Sequence, residues 1–142
     1  MLMNILIAAI IIIATVVIHA EAMMLAVRLI RKEEGGLREK LRQTHLYRVS
    51  GIVLLMFLAS LIEVLVWAVV YLWLNAIQGV EQAFYFSMVT FTTLGYGDVV
   101  LGEQWRLLAS FEAANGIILF GWTTAIVMAV VHRVYFSKES VG

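Results

Sequence analysis

Six consecutive residues beginning at Thr93 read Thr-Leu-Gly-Tyr-Gly-Asp, and the first four offer an unusual set of ligand atoms. None of the four has an acidic, His or Cys side chain, so the available ligand atoms are backbone carbonyls and the Thr93 hydroxyl. Carbonyl oxygens are neutral and hard. They suit a monovalent cation that is stripped of water and then released, whereas a divalent ion calls for carboxylates. The candidate ligand residues are Thr93, Leu94, Gly95 and Tyr96.

Glycines within this stretch allow its carbonyls to converge. Successive carbonyls point toward one axis only if the backbone alternates its handedness, and Gly95 and Gly97 can do so without steric cost. A single strand nevertheless offers too few oxygens to enclose an ion. We therefore expect several copies of the chain to meet around a symmetry axis.

The composition predicts an integral membrane protein. Hydrophobic residues make up 63% of the 142 residues and the mean hydropathy is +0.95, against about 45–50% apolar residues in soluble proteins. Three segments, 1–27, 51–76 and 107–131, are apolar over the roughly 20 residues that a spanning helix needs, and lipid forces each to be helical. Ala20-Glu21-Ala22 resembles a signal-peptide cleavage site, but no basic residue precedes the apolar run, so we expect a retained helix.

Charge and cysteine usage exclude several classes of function. Lys+Arg and Asp+Glu balance at 10 each, which gives no support for a nucleic-acid partner or a disordered chain. The absence of Cys removes disulfides and thiol chemistry. We find no nucleophile–base pair and no cluster of metal-ligating side chains, so we do not expect an enzyme.

Basic residues predict the orientation in the membrane. They cluster between the first two apolar segments and after the third, whereas 77–106 has the single basic residue Arg106. The N-terminus should therefore lie outside and the C-terminus in the cytoplasm. Leu37, Leu41 and His45 recur every four residues, which is typical of a short interfacial helix in contact with membrane lipids, although a solvated linker fits equally well.

Residues 81–92 form an aromatic run that is too short to span, and the Gly-rich stretch follows directly. Such a run enters the membrane and returns. The sequence Thr-Phe-Thr-Thr-Leu-Gly-Tyr-Gly-Asp at 90–98 resembles the selectivity-filter signature of potassium channels, and the order of helix, pore helix, filter and inner helix resembles the bacterial two-transmembrane-type ion channel pore family.

The resemblance implies an all-α integral membrane fold and a homotetramer that conducts K⁺ passively, with stacked K⁺ sites at 93–96, in a bacterial inner membrane. It divides the chain into an extra transmembrane helix at 1–28, a cytoplasmic linker at 29–49, a pore domain at 50–136 and a short tail at 137–142. Within the pore domain it implies an outer helix at 50–77, a pore helix at 81–92, a filter at 93–98 and an inner helix at 105–134.

The chain departs from the family pattern around the filter. Leu94 stands where Val or Ile is usual, the common Trp pair is replaced by Tyr85 and Phe86, and Val89 replaces a supporting Glu. Phe86 cannot bond Asp98, so we expect the back of the filter to lack polar support. The residues assigned to filter geometry and support are Thr92, Gly97, Asp98, Tyr85, Phe86, Val89, Glu112 and Asn115.

Glu112 and Asn115 lie three apart at the start of the inner helix, on one helical face. Because an intramembrane carboxylate needs a partner, we expect this face to abut the filter or the pore helix. The alternative places Glu112 in the outer water beside Arg106.

Further down the inner helix, Gly116 and Gly121 resemble gating hinges, with close packing against the pore helix as the alternative. Thr123 and Thr124 are expected to line the cavity.

His19 and Glu63 lie at loosely matched depths on antiparallel helices. The expected contact is a hydrogen bond between them or one centred on Glu21, and a proton relay is a sharper alternative.

The chain shows no run of basic residues typical of a voltage sensor and no ligand-binding domain, so gating should be intrinsic or come from lipid, tension, pH or an unidentified regulatory subunit. Two other functions stay open: a weakly selective monovalent cation channel, or a non-conducting regulatory or assembly subunit.

Overall fold

The computed structural model describes the backbone of residues 1–32 and 42–136, and the side chains of residues 1–29 and 47–132. Over those residues it contains four α-helices and no β-strand. The helices are α1 (Leu2–Lys32), α2 (Arg42–Trp73), α3 (Val80–Phe91) and α4 (Arg106–Phe136). The predicted all-α fold is confirmed.

Three of the helices are long and apolar enough to cross a membrane. The candidate spans are Leu2–Leu29, Tyr47–Trp73 and Arg106–His132, of 27 or 28 residues each. At about 1.5 Å per residue, each exceeds the roughly 30 Å of a hydrocarbon core. The predicted number and order of spanning helices are confirmed, and α3 is the short helix between the second and third spans.

Helix α2 differs most from its predicted bounds. It begins at Arg42, inside the predicted linker, so His45 belongs to α2. The other two residues of the predicted interfacial helix, Leu37 and Leu41, lie outside the described residues, as does the predicted tail 137–142. The early start has a simple cause, because helical hydrogen bonding continues past the apolar run into polar residues that tolerate it.

The end of α2 at Trp73 is also earlier than expected, and a Schellman cap explains it. Asn75 adopts a left-handed conformation with φ 51°. The amide of Ala76 donates to the carbonyl of Tyr71 at 2.9 Å, and that of Asn75 donates to Leu72 at 3.0 Å. These bonds satisfy carbonyls that a helix end leaves free and turn the chain toward α3.

The three long helices pack against one another, and α3 packs against α2 and α4. The larger core lies around α3 and buries Trp67, Tyr71, Phe91 and Leu108 completely. At the N-terminal end of α1, the Asn4 amide donates to the Gln104 carbonyl at 2.6 Å. The first residues of the chain therefore lie beside the loop that follows residues 93–98, which we call the filter stretch.

Helix α4 crosses the end of α3 at Gly116. A Cβ built on this residue would lie 2.0 Å from the carbonyl oxygen of Phe91, whereas one built on Gly121 would meet nothing within 4 Å. Close packing, the alternative reading of Gly116, therefore accounts for this glycine. A hinge at Gly116 or Gly121 stays a prediction.

We expect Gly116→Ala to destabilise the protein by about 1–3 kcal/mol, because overpacking forces α3 and α4 apart. Gly121→Ala is the matched control: it should be neutral or stabilising by up to about 1 kcal/mol, since Ala is the better helix former. Thermal unfolding of the full chain in detergent measures both. Equal unfolding temperatures for the two variants would contradict the packing at Gly116.

Candidate functional site

The filter stretch begins as the C-terminal cap of α3. The amide of Leu94 donates to the carbonyl of Val89 at 3.0 Å, and the amide of Thr93 donates to Thr90 at 2.9 Å. This is a second Schellman pattern, with Thr93 in the left-handed position at φ 60°. The amide of Gly95 also reaches the Val89 carbonyl, at 3.2 Å. The last turn of α3 thus holds the first three residues of the filter stretch in place.

Left-handed conformations recur at every second residue of this stretch. Thr93, Gly95 and Gly97 have φ values of 60°, 56° and 78°. The two glycines were predicted to take this role, but Thr93 was missed because a β-branched residue seldom adopts positive φ. Such strain persists only where surrounding contacts impose it, and it clusters at functional sites.

The side chains of the filter stretch are largely uncovered in the single chain. Leu94 is 55% exposed and Tyr96 is 68% exposed, although both side chains are large and mostly apolar. Within the part of the chain that the structure describes, no three His, Asp or Glu side chains come together as a metal site. The candidate ligand atoms at 93–96 stay the backbone carbonyls and the Thr93 hydroxyl.

Polar support for the filter stretch comes from Tyr85, which corrects the expectation that it would be missing. The Tyr85 hydroxyl donates to Asp98 Oδ2 at 2.6 Å. Phe86, which cannot make this bond, is buried and packs edge-on against Tyr71 at a centroid distance of 5.2 Å. Val89 contributes its carbonyl to the cap. The signal for this bond in the sequence is the phenol of Tyr85, next to Phe86.

This hydrogen bond shifts the acidity of both groups. The bond from Tyr85 is the largest of the effects that hold the pKa of Asp98 below its usual value, and Asp98 in turn raises the pKa of Tyr85. The folded state therefore favours the carboxylate of Asp98. The bond to the charged form is present at neutral pH and is lost as the pH falls through the lowered pKa.

Glu112 contacts α3, the predicted pore helix, as expected. Its side chain is completely buried. Tyr71 donates to its Oε2 at 2.6 Å, and the Ser87 hydroxyl of α3 lies 2.5 Å from its Oε1. The alternative that Glu112 reaches the outer water beside Arg106 is wrong. Ser87 and Tyr71 were not identified from sequence, because only the packing of three helices brings them together.

Asn115 faces a different neighbour from the one predicted. Its amide donates to Thr15 Oγ1 of α1 at 2.9 Å, and the Thr15 hydroxyl donates to the Ile12 carbonyl at 3.0 Å. Residues three apart on a helix differ by about 60° around its axis. That angle is enough for Glu112 to face α3 while Asn115 faces α1, so Asn115 does not support the filter directly.

The predicted bond between His19 and Glu63 is confirmed. His19 Nδ1 lies 2.9 Å from Glu63 Oε1, and both side chains are completely buried. Glu21, the alternative centre of this contact, is exposed. The proton relay stays a prediction.

Thr123 faces α1 rather than a cavity, which corrects the expectation for this residue. Its hydroxyl lies 3.4 Å from His19 Nε2, a long contact that turns the half-buried side chain toward α1. Thr124 is exposed, and its hydroxyl donates to the Phe120 carbonyl at 2.9 Å. Thr124 therefore remains a candidate for lining a cavity.

We expect Tyr85→Phe to raise the pKa of Asp98 toward its ordinary value, because the phenol that stabilises the carboxylate is lost. Asp98 is the single aspartate of the chain, so selective carbon-13 labelling of aspartate isolates its NMR signal during a pH titration. Tyr47→Phe, at an exposed residue of α2, is the control and should leave the titration unchanged. The same midpoint in all three proteins would refute the contact.

We expect His19→Ala and Glu63→Ala to show a coupling of about 0.5–3 kcal/mol in a double-mutant cycle, because each removes the other's buried partner. Unfolding of the full chain in detergent supplies the free energies. Pairing His19→Ala with Glu112→Ala is the control, since Glu112 bonds Tyr71 and Ser87 instead. Additive effects in the first cycle would rule the contact out.

The comparisons with known proteins place the chain in a family. A family model described as "Ion channel" matches residues 59–133, more than half of the chain, and so covers the C-terminal part of α2, all of α3, the filter stretch and nearly all of α4. No curated protein and no solved structure matches. With three apolar helices long enough to span a membrane, the chain is a multi-pass membrane protein that belongs to the two-transmembrane-type ion channel family.

Proposed function

We propose that the chain is one subunit of a homotetrameric potassium channel. In this channel K⁺ passes through a filter formed by the carbonyls of residues 93–96 and by the Thr93 hydroxyl. The observation that carries the proposal is the left-handed conformation at Thr93, Gly95 and Gly97, directly after the capped end of α3. The side chains of Leu94 and Tyr96 are mostly exposed in the single chain, so their packing does not account for the alternation.

The alternating backbone suits a cation because it orients the carbonyl oxygens. Switching handedness at every second residue turns successive carbonyl oxygens toward the same side, where they can replace the hydration shell of K⁺. Several neighbouring sites allow ions to displace one another along the axis, so binding does not prevent release. The partial negative charge at the C-terminal end of α3 would favour a cation in the same region.

Two uncovered surfaces support assembly around an axis. One is formed by the filter side chains Leu94 and Tyr96. The other is a stripe on α4 formed by Ile117, Gly121, Thr124 and Met128, whose spacing of four, three and four places them on one helical face. One pore loop supplies a quarter of the oxygens that a ring of four would offer, so a homotetramer completes the proposed sites.

The location follows from charge and from one contact. Seven basic residues between the first two apolar segments favour a cytoplasmic position for that connection. The bond from Asn4 to Gln104 supports an N-terminus on the same side as the filter mouth, which is then the outside. A bacterial inner membrane is proposed from the family resemblance. Gating through Gly116 or Gly121, or by an added regulatory subunit, belongs to the same proposal.

We expect the purified chain in planar bilayers to give a reversal potential close to the potassium equilibrium value under opposed K⁺ and Na⁺ gradients. A reversal potential near zero would replace the proposal with a weakly selective cation channel, as Leu94 in place of Val or Ile would permit. Silence from a tetramer with no ions on its axis would favour a non-conducting subunit.

Two glycine variants make this experiment specific to the filter. Gly95→Ala places a side chain on a residue with φ 56°, at a cost of about 1–2 kcal/mol within each filter strand, and should abolish the current. Gly102→Ala is the matched control, since its Cβ would also meet nothing within 4 Å and its φ is ordinary. Currents that survive Gly95→Ala would come from elsewhere than the proposed filter.

A further inference from the structure

Two carboxylates are completely buried within the spanning helices, and their surroundings differ in kind. Glu63 has the imidazole of His19 at 2.9 Å, a group that can carry a compensating positive charge. The bonding partners of Glu112 are the hydroxyls of Tyr71 and Ser87, which are neutral. An ionised carboxylate at this depth is costly unless a charge or several donors compensate it.

Among the side chains that the structure describes, no cationic group is placed to compensate Glu112. Arg106, on the same helix, lies six residues toward the N-terminus, which is about 9 Å along the axis. Its Nε points to the Leu101 carbonyl at 3.4 Å. His19 bonds Glu63 and Thr123 instead. Of the two buried carboxylates, Glu112 is therefore the one that we expect to stay neutral, because only hydroxyls bond it.

The hydrogen-bond geometry at Ser87 supports the same conclusion. Its hydroxyl oxygen lies 2.5 Å from Glu112 Oε1 and 2.8 Å from the carbonyl oxygen of Val64. If Glu112 is ionised, both neighbours are acceptors, and the single proton of Ser87 can serve only one of them.

A protonated Glu112 satisfies every group in the cluster. Its Oε1 donates to the Ser87 oxygen, the Ser87 hydroxyl donates to the Val64 carbonyl, and the Tyr71 hydroxyl donates to Glu112 Oε2. Each donor then has one acceptor, and no net charge is buried. The resulting chain of bonds joins α4 to α3 and α2.

We propose that Glu112 is a neutral carboxylic acid that donates its proton to Ser87 and thereby positions the pore helix against α2 and α4. Ser87 lies two residues before Val89, whose carbonyl caps the start of the filter stretch. Glu112 acts through α3 and does not contact the filter, so it is a positioning residue. Its effect on conduction rests on the proposed channel, whereas its protonation state does not.

Infrared spectroscopy of the full chain at neutral pH, in a detergent without ester groups, tests the protonation state directly. Only a protonated carboxyl gives the carboxylic-acid C=O band. We expect this band in the wild type, its loss in Glu112→Gln and its persistence in Glu63→Gln. Ser87→Ala should shift the band, because the acid loses its acceptor. A spectrum that Glu112→Gln leaves unchanged, or a band that Ser87→Ala does not move, would overturn the proposal.

Potassium flux into liposomes tests the positioning role. Glutamine can donate to Ser87 and accept from Tyr71 as the neutral acid does, so Glu112→Gln should retain wild-type flux while Glu112→Ala loses most of it. Equal loss in both variants would show that a charge is required and would overturn the proposal. If the wild type itself carries no flux, the proposed channel fails, and the infrared result still decides the state of Glu112.

Discussion

Lipid supplies no hydrogen bonds, so each polar side chain within the spanning helices must find its partner inside the protein. In the described part of this chain, several buried polar side chains bond from one helix to another. His19 pairs α1 with α2 through Glu63. Asn115 pairs α4 with α1, and Glu112 bonds α2 and α3 from α4. Single bonds of this type average only about 0.6 kcal/mol in membranes, but an unsatisfied partner costs more, so they specify which helix faces which.

The same requirement governs the filter stretch. Its backbone leaves helical geometry at Thr93, and the amides that follow are satisfied by the last carbonyls of α3. A left-handed threonine is strained. The capping bonds at its amide and at Leu94, together with the Tyr85 to Asp98 bond at the far end, hold the stretch at both ends. Gly116 lets α4 press directly on the last turn of α3, which limits how far that turn can move.

Much of this arrangement is predictable from the sequence, for identifiable reasons. Long apolar runs predict the three spanning helices, and the residues around Gly95 and Gly97 predict the conformation there. Glu112, His19 and Glu63 stand out because a titratable residue in an apolar helix needs a partner. The partners of Asn115 and Thr123 were missed, although Asn4, Thr15 and His19 share one face of α1 and are buried there. The left-handed Thr93 was missed because its residue type disfavours that conformation.

The position of α1 has a consequence for the proposed channel. Helix α1 meets α4 at two levels, through Thr15 at Asn115 and through His19 at Thr123. On α1, residues 15 and 19 are about one turn apart. On α4, residues 115 and 123 are about two turns apart, so the two contacts lie at different heights along α4. Any bend of α4 between them, at Gly116 or Gly121, must carry α1 along or break one of these contacts. The extra helix is therefore coupled to the conformation of the inner helix, although it contributes no residue to the filter.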